Sequence, residues 1–188
     1  MNIYDFDETI YNGDSSVDFF KYCLKRKPKC LLALPRISVF VLLYFFRIVK
    51  KEKMKSSIFS IIKNFDNIDE VVLDFWKSKD YKLKDFYMKQ KKSTDIIISA
   101  SPEFLLRPVS KKYKFKLIAS KVNTKTGEFI GKNCHDKEKV RRLKEEMNID
   151  KCEEFYSDSL SDTPLSEIAK RAFIVKGNKI IKWEEYIK

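Results

Sequence analysis

An α/β fold with a mainly parallel sheet and one helical insert is what the sequence predicts. Short apolar runs at residues 2–6, 95–99, 117–122 and 152–157 alternate with stretches of helical periodicity. That is the pattern of strands joined by crossover helices. The run DIIIS at 95–99 is continuously apolar, as suits a strand covered on both faces. Residues 12 to about 80 read as helices throughout. The expected division is a core of residues 1–11 and 81–188, interrupted by a helical insert at 12–80.

Composition fits that division. The chain has 188 residues, 44% hydrophobic and 14% aromatic, which is globular rather than disordered. Lysine and arginine number 39 against 27 acidic residues, a net charge of +12. Such an excess predicts an anionic partner: nucleic acid, an anionic membrane or a phosphorylated substrate. Nucleic acid is set aside because no binding motif and no aromatic–basic repeat is present. The four cysteines, Cys23, Cys30, Cys134 and Cys152, form no Cys-x-x-Cys pair, and His135 is the only histidine. Zinc is therefore not expected, and a reduced, cytoplasmic setting is. Asp5, Asp7 and Glu8 fall where a secretory signal needs positive and then apolar residues, so none is expected.

The first nine residues are MNIYDFDET. In a strand over 2–6, alternate side chains share a face, so Asp5 and Asp7 emerge together at its end. Two adjacent carboxylates repel and need a metal, a lysine or a shared proton, unless they are exposed turn residues. Residues 14–26 predict a helix capped by Asp14 or Ser15, with Val17, Phe20, Cys23 and Leu24 as its core stripe.

Residues 30–49, CLLALPRISVFVLLYFFRIV, are the most apolar stretch. Pro35 breaks or starts a helix there. Arg36 and Arg47 bound only ISVFVLLYFF, well short of the ~20 residues a span requires, so a buried or interfacial helix is expected. No acidic residue occurs from Phe19 to Lys51, while cations recur from Lys21 to Lys51. Two readings stay open: a buried helix with a solvated basic rim, or peripheral contact with an anionic membrane. Residues 52–92 predict two or three helices, patterned around Ile58, Ile61, Ile62 and Phe65 and then Val71, Val72, Phe75 and Trp76.

After the strand at 95–99, Ser101 can cap a helix, Pro102 fits its first turn and Glu103 its positive end. The Ser99 hydroxyl beside a helix N-terminus makes an anion pocket, or simply an ordinary junction. Pro108 should kink or shorten that helix. A strand at 117–122 and a short one at Glu128–Ile130 precede a helix from about Asp136, with Val140, Leu143 and Met147 on one face. Lys137 and Lys139 lie in its first turn, where the helix dipole disfavours cations; they suit a nearby anion, or are merely solvated. The strand 152–157 ends just before Asp158, and Asp162 follows. Thr163 can cap the next helix and Pro164 begin it. AFIVKGNKIIKW reads as a hairpin turning at Gly177-Asn178.

Ligands of parallel sheets bind at the carboxyl ends of strands. Asp5, Asp7, Ser99 and Asp158 all fall there, with Lys137 or Lys139 nearby. Hard oxygens, a hydroxyl and a cation suit a Mg²⁺-dependent phosphate site.

DFDET at 5–9, Ser99 closing DIIIS, a lysine at 137 or 139 and DSLSD at 158–162 occur in that order. With this set the chain resembles the haloacid dehalogenase-like phosphohydrolases, and the 93-residue gap between Asp5 and Ser99 matches their cap insertion. Segments TGEFIGKNCHDKEKVRRL and YSDSLSDTPL resemble the branch holding phosphoserine phosphatases and the bacterial phosphatidylglycerophosphatase C type. Ala100-Ser101, Ser159 and Asp136 stand where phosphoserine phosphatases commonly carry glycine, which leans the resemblance toward the lipid-phosphatase side. The resemblance implies a Rossmann-like three-layer core with a small helical cap. It implies Asp5 as nucleophile and Asp7 as proton donor and acceptor. Mg²⁺ would sit on Asp5, Asp158 and the Asp7 carbonyl. Ser99, the Ala100 amide and the lysine would hold the phosphoryl oxygens, with Thr9 fixing the loop at the phosphate and Asp162 in support. The implied substrate is a lipid phosphate at the inner membrane face, or a soluble metabolite such as phosphoserine or a sugar phosphate. A basic binding module without turnover is the rival reading.

Overall fold

The computed structural model describes residues 1–187. Its first strand, β1 (Asn2–Tyr4), is shorter than the apolar run. The Asp5 N–H still donates to Tyr156 O, but the Phe6 carbonyl accepts from both Ile10 N and Tyr11 N, so the chain coils at once into a tight loop. Helices α1 (Ser15–Arg26), α2 (Leu34–Phe45), α3 (Lys51–Phe59), α4 (Ile68–Lys79) and α5 (Asp85–Gln90) follow before the chain returns to the sheet. Then come β2 (Ile96–Pro102), α6 (Glu103–Tyr113), β3 (Lys116–Ser120), α7 (Lys137–Met147) and β4 (Cys152–Ser157). The chain closes with α8 (Thr163–Ser166), β5 (Ala169–Lys176), β6 (Lys179–Lys182) and α9 (Trp183–Tyr186).

The six strands lie in the order β3-β2-β1-β4-β5-β6, all parallel except the closing β5–β6 hairpin. This is the Rossmann-like α/β architecture. Successive connections leave β1 toward β2 on one side and β4 on the other. A crevice therefore opens beyond the carboxyl end of β1, where the winding reverses.

Each face of the sheet carries its own core. On one, Tyr4 stacks on Tyr156 and Tyr156 on Phe173, with centroids 4.8 and 4.9 Å apart. The same cluster runs through Phe6, Tyr11 and Trp76 to Phe19 and Phe75 of α1 and α4. Trp76 Nε1 donates to Leu105 O of α6 at 2.6 Å, so α4 is pinned to the sheet layer rather than merely resting on it. The other face buries Ile3, Ile96, Ile98, Ile118, Leu143, Phe155 and Trp183.

Several local expectations are corrected by packing. Asp14 caps α1, accepting from Val17 N at 2.9 Å, but the helix turns Phe19 and Cys23 inward. Val17 is exposed and Phe20 and Leu24 only half-buried, because Phe19 packs edge-on against Phe75 and Phe104. Ser101 does not cap α6; β2 runs through it, and the helix starts at Glu103 and continues past Pro108 to Tyr113. The strand expected at Glu128–Ile130 is a single bridge, Val122 to Phe129, because the Phe129 N–H is taken by Ser56 Oγ of α3. The Thr163 hydroxyl donates back to Leu160 O instead of capping α8.

The apolar stretch is not buried. Pro35 sits in the first turn of α2, and of that helix only Ile37 is in the core. Leu32, Phe45 and Ile48 are 82%, 77% and 68% exposed. The window Pro28–Phe45 is apolar and long enough to be a candidate span by composition. Its first six residues, however, form a 3₁₀ turn. The 12-residue α2 is then about 18 Å long, short of a ~30 Å hydrocarbon core.

Candidate active site

The loop after β1, the end of β2, the first turn of α7 and the segment after β4 converge on one cavity of about 310 Å³. Asp5, Asp7, Ser99, Ala100, Lys139, Asp158 and Asp162 line it. Residues 5, 99, 139 and 158 are far apart in sequence. Asp5, Ser99 and Asp158 meet because three parallel neighbours, β1, β2 and β4, all end at this edge, and the first turn of α7 brings Lys139 to them.

Lys139 is its central cation. Its Nζ donates to Asp5 Oδ1 at 2.6 Å and to Asp162 Oδ2 at 2.7 Å, and the Lys139 side chain is 3% exposed. Burial works against the ammonium, but the Asp5 and Asp162 carboxylates outweigh it and hold its pKa above the ordinary lysine value. Burial likewise raises the Asp5 carboxyl, with Lys139 opposing. Asp162 Oδ2 also accepts from Ser157 Oγ at 2.7 Å, while its Oδ1 is buried without a partner among the described residues. Lys137, one turn-position away, is exposed and lies outside the cavity. The choice between the two lysines is made by the rotation of α7, which turns Glu138, Lys139, Arg142 and Leu143 inward. Arg142 fixes that rotation, since it donates to Glu138 Oε1, Ala119 O and Lys132 O.

Asp7 is held separately. The Ser15 N–H at the start of α1 donates to its Oδ1 at 2.6 Å, and Ser101 Oγ donates to its Oδ2 at 2.5 Å. Burial first, then the charge of Asp14, push its pKa up to about 6 against those two bonds. Ser99 Oγ accepts from Ser101 N at 3.0 Å, which leaves its own proton for the cavity. Asp158 has its carboxyl pKa raised by burial, and no side chain donates to that carboxylate among the described residues. Thr9 fixes the loop as expected but does not reach the phosphate cavity: it is fully buried, absent from the lining, and its Oγ1 accepts from Asp158 N at 2.9 Å. It ties the loop after β1 to the segment after β4.

Among the lining residues that sequence reasoning did not place at the site are Ser16, Lys51, Lys55 and His135, with the carboxylates of Glu8 and Asp14 beside them. The i, i+4 pair Lys51 and Lys55 was visible as a helical spacing, but nothing local said which way α3 faces. It also missed Ser101 as an Asp7 ligand, because the Pro102 that follows looked like a helix start.

Asp136, just before α7, has φ 55° and ψ −136°. This is a region nearly reserved for glycine, and an L side chain there costs ~1–3 kcal/mol. The Asp136 side chain caps nothing in return. Asp136→Gly is expected to raise the melting temperature by ~2–4 °C per kcal/mol released, measured by thermal unfolding. A lower melting temperature would show that the aspartate is stabilising here.

A family model described as haloacid dehalogenase-like hydrolase matches residues 3–167 of the chain. No curated protein sequence matches it. Among solved structures, a protein of unknown function from Bordetella pertussis Tohama I is similar with a TM-score of 0.72 and 18% identity, over 92% of this chain and 87% of that one. A phosphoserine phosphohydrolase-like protein from Francisella tularensis subsp. tularensis SCHU S4 gives a TM-score of 0.54 and 16% identity, over 91% and 84%. A probable phosphoserine phosphatase from Vibrio cholerae gives 0.63 and 11%, over 91% of this chain and 55% of that one. At these identities the likeness is one of fold.

Proposed function

Because the chain belongs to the haloacid dehalogenase-like hydrolase family, we propose that it hydrolyses phosphomonoesters through a phospho-enzyme formed on Asp5. The observation that carries this is the separation of two carboxylates in one cavity, Asp5 bonded to a buried lysine and Asp7 to a serine and a backbone amide. Different partners suit different tasks. Asp5 attacks phosphorus, the bond from phosphorus to the leaving oxygen breaks, and Asp7 gives that oxygen its proton. Water then attacks the aspartyl-phosphate, Asp7 takes the proton back, and phosphate leaves with Asp5 restored. A pKa of about 6 keeps Asp7 near the point where it can both give and accept a proton at neutral pH. Lys139 and the free Ser99 proton face the phosphoryl oxygens, where fixed donors stabilise developing charge.

The donor set also fits Mg²⁺. Asp5 and Asp158 offer carboxylate oxygens, and the Asp7 carbonyl a third. Among the described residues no three His, Cys, Asp or Glu side chains form a ready-made metal cluster. Mg²⁺ does not need one, since it is commonly held by one or two carboxylates together with waters and substrate phosphate. Desolvated carboxylates that no side chain satisfies, such as Asp158, favour a cation beside them. When bound, Mg²⁺ supplies charge neutralisation between the anionic nucleophile and the anionic phosphate. Release of p-nitrophenol from p-nitrophenyl phosphate is expected with Mg²⁺ and not with a chelator; no release under either condition would sink the phosphatase reading.

The substrate class we propose is a lipid phosphate, met at an anionic membrane surface on the cytoplasmic side. The support is the exposed apolar side chains of residues 31–48, bordered by cations and free of acids from Phe19 to Lys51. An apolar helix with a basic border lies in the membrane interface, its apolar side in the acyl region. Flotation on a density gradient is expected to carry the protein up with vesicles containing phosphatidylglycerol at low salt, and less at high salt. Protein left at the bottom would instead favour a soluble phosphorylated metabolite.

A further inference from the structure

We propose that Lys55, on the helical insert, is a positioning residue for phosphoryl transfer: acting through the Ala100–Ser101 peptide, it aims the Ser99 hydroxyl at the phosphoryl group. This rests on the phosphatase reading and adds to it a residue of the insert that works on the end of β2.

β2 does not end as a regular strand. Ser99 pairs with Ala119 and Pro102 with Ser120, so Ala100 and Ser101 stand out of register with β3 as a bulge. Bulges beside a site re-aim its side chains. The peptide joining Ala100 to Ser101 is planar, so its carbonyl and its N–H point in opposite directions. The N–H donates to Ser99 Oγ at 3.0 Å, and the carbonyl accepts from Lys55 Nζ at 2.8 Å. The lysine therefore holds one end of the peptide plane, and the Ser99 hydroxyl sits on the other. Ser101 Oγ, on the same bulge, is the donor to Asp7 Oδ2.

Ser120 does not replace the lysine. Its Oγ lies 3.1 Å from Ala100 O and 3.1 Å from Asn133 Oδ1, but a hydroxyl has one proton and both acceptors compete for it. Lys55 Nζ reaches the same two acceptors, at 2.8 and 2.9 Å, with a proton for each. The ammonium is itself held in place, 5.1 Å over the Phe129 ring. Around it α3 is docked on the loop after β3: Asn133 N donates to Glu52 Oε1 at 3.1 Å and Phe129 N to Ser56 Oγ at 2.9 Å. Gly127, at φ 75°, permits the approach, since a Cβ there would meet Phe59 O at 2.2 Å. The end of β2 that holds the phosphoryl oxygens is thus oriented by a donor it has only while α3 is docked.

Lys55→Met tests this, because methionine keeps the stem against Phe129 and loses only the donor. Its kcat for p-nitrophenyl phosphate is expected to fall ~10- to 100-fold with KM within ~3-fold of the parent, the mark of an interaction made in the transition state. Vanadate, which takes the five-coordinate shape of that state, should inhibit ~10-fold more weakly, while inhibition by inorganic phosphate changes less than ~3-fold. Phenyl phosphate and p-carboxyphenyl phosphate, whose leaving phenols have similar acidity and different charge, should lose the same factor. Ser56→Ala cuts another tie between α3 and the same loop without touching Ala100 O, and should keep kcat within ~2-fold. Unchanged vanadate inhibition in Lys55→Met overturns the inference. So does a loss confined to p-carboxyphenyl phosphate, which would put Lys55 on the leaving group, or an equal loss in Ser56→Ala, which would make its role one of docking alone. Where Lys55→Met does not fold, Lys55→Gln carries the same test, its amide being one bond too short to reach Ala100 O. Those outcomes leave the phosphatase reading standing. Only the absence of p-nitrophenyl phosphate hydrolysis by the parent removes both.

Discussion

Asp5→Asn is expected to abolish Mg²⁺-dependent phosphate release, with a loss of ~10⁴-fold or more, in the range seen when a covalent nucleophile is removed. The amide occupies the same space but does not attack phosphorus. A loss of only ~10²-fold would match the removal of one stabilising donor and would put the nucleophile elsewhere. The variant should remain folded, because Lys139 keeps its 2.7 Å bond to Asp162 and the ammonium is not left unpaired. Phosphate release and thermal unfolding on the same preparation separate the cases. Turnover lost with melting nearly unchanged supports the assignment, and near-normal turnover refutes it.

Why the sheet was legible while parts of the site were not follows from where the determining contacts lie. Ile96–Ser99 and Phe155–Ser157 are buried on both sides of the sheet, so their apolar runs announce them without help from the rest of the chain. The polar residue that ends such a run falls at the carboxyl edge, which is why Ser99 and Asp158 could be placed from the sequence. Rotation about a helix axis is a different matter. Lys137 and Lys139 share the first turn of α7, and only the long-range bonds of Arg142 to Ala119 O and Lys132 O decide which faces inward. Lys55 escaped notice for the same reason, its partners Ala100 and Asn133 being 45 and 78 residues away. The periodicity of α1 gave a helix and placed Cys23 in the core, but it put Val17 there instead of Phe19, because Phe19 finds Phe75 and Phe104, neither of which is nearby in sequence. In α2 an apolar composition suggested either burial or an interface, and exposure of Leu32, Phe45 and Ile48 removes the first.

Lys139→Met compared with Lys137→Ala turns the rotation of α7 into a measurement. Methionine fills a similar volume but leaves the Asp5 and Asp162 carboxylates facing each other without their shared cation. Breaking a buried ion pair from one side costs ~3–5 kcal/mol. For a chain of this size that is a fall in melting temperature of roughly 10 °C. Asp162 has little to fall back on, since only the Ser157 hydroxyl remains on its Oδ2. Turnover should fall by at least ~10²-fold, as for other preorganised donors. The pH dependence gives the sign. Losing the lysine removes the attraction that opposes burial at Asp5, so its already raised folded-state pKa moves further above the unfolded value. Stability is then present while Asp5 is protonated and is lost as pH rises through that raised value, so the deficit against the parent should be smaller at pH 5 than at pH 8. Lys137→Ala, on the exposed side of the same turn, should stay within ~0.5 kcal/mol of the parent. If instead Lys137→Ala lost activity and Lys139→Met kept it, α7 would have to be turned the other way, and Arg142 could not make the three bonds that hold it.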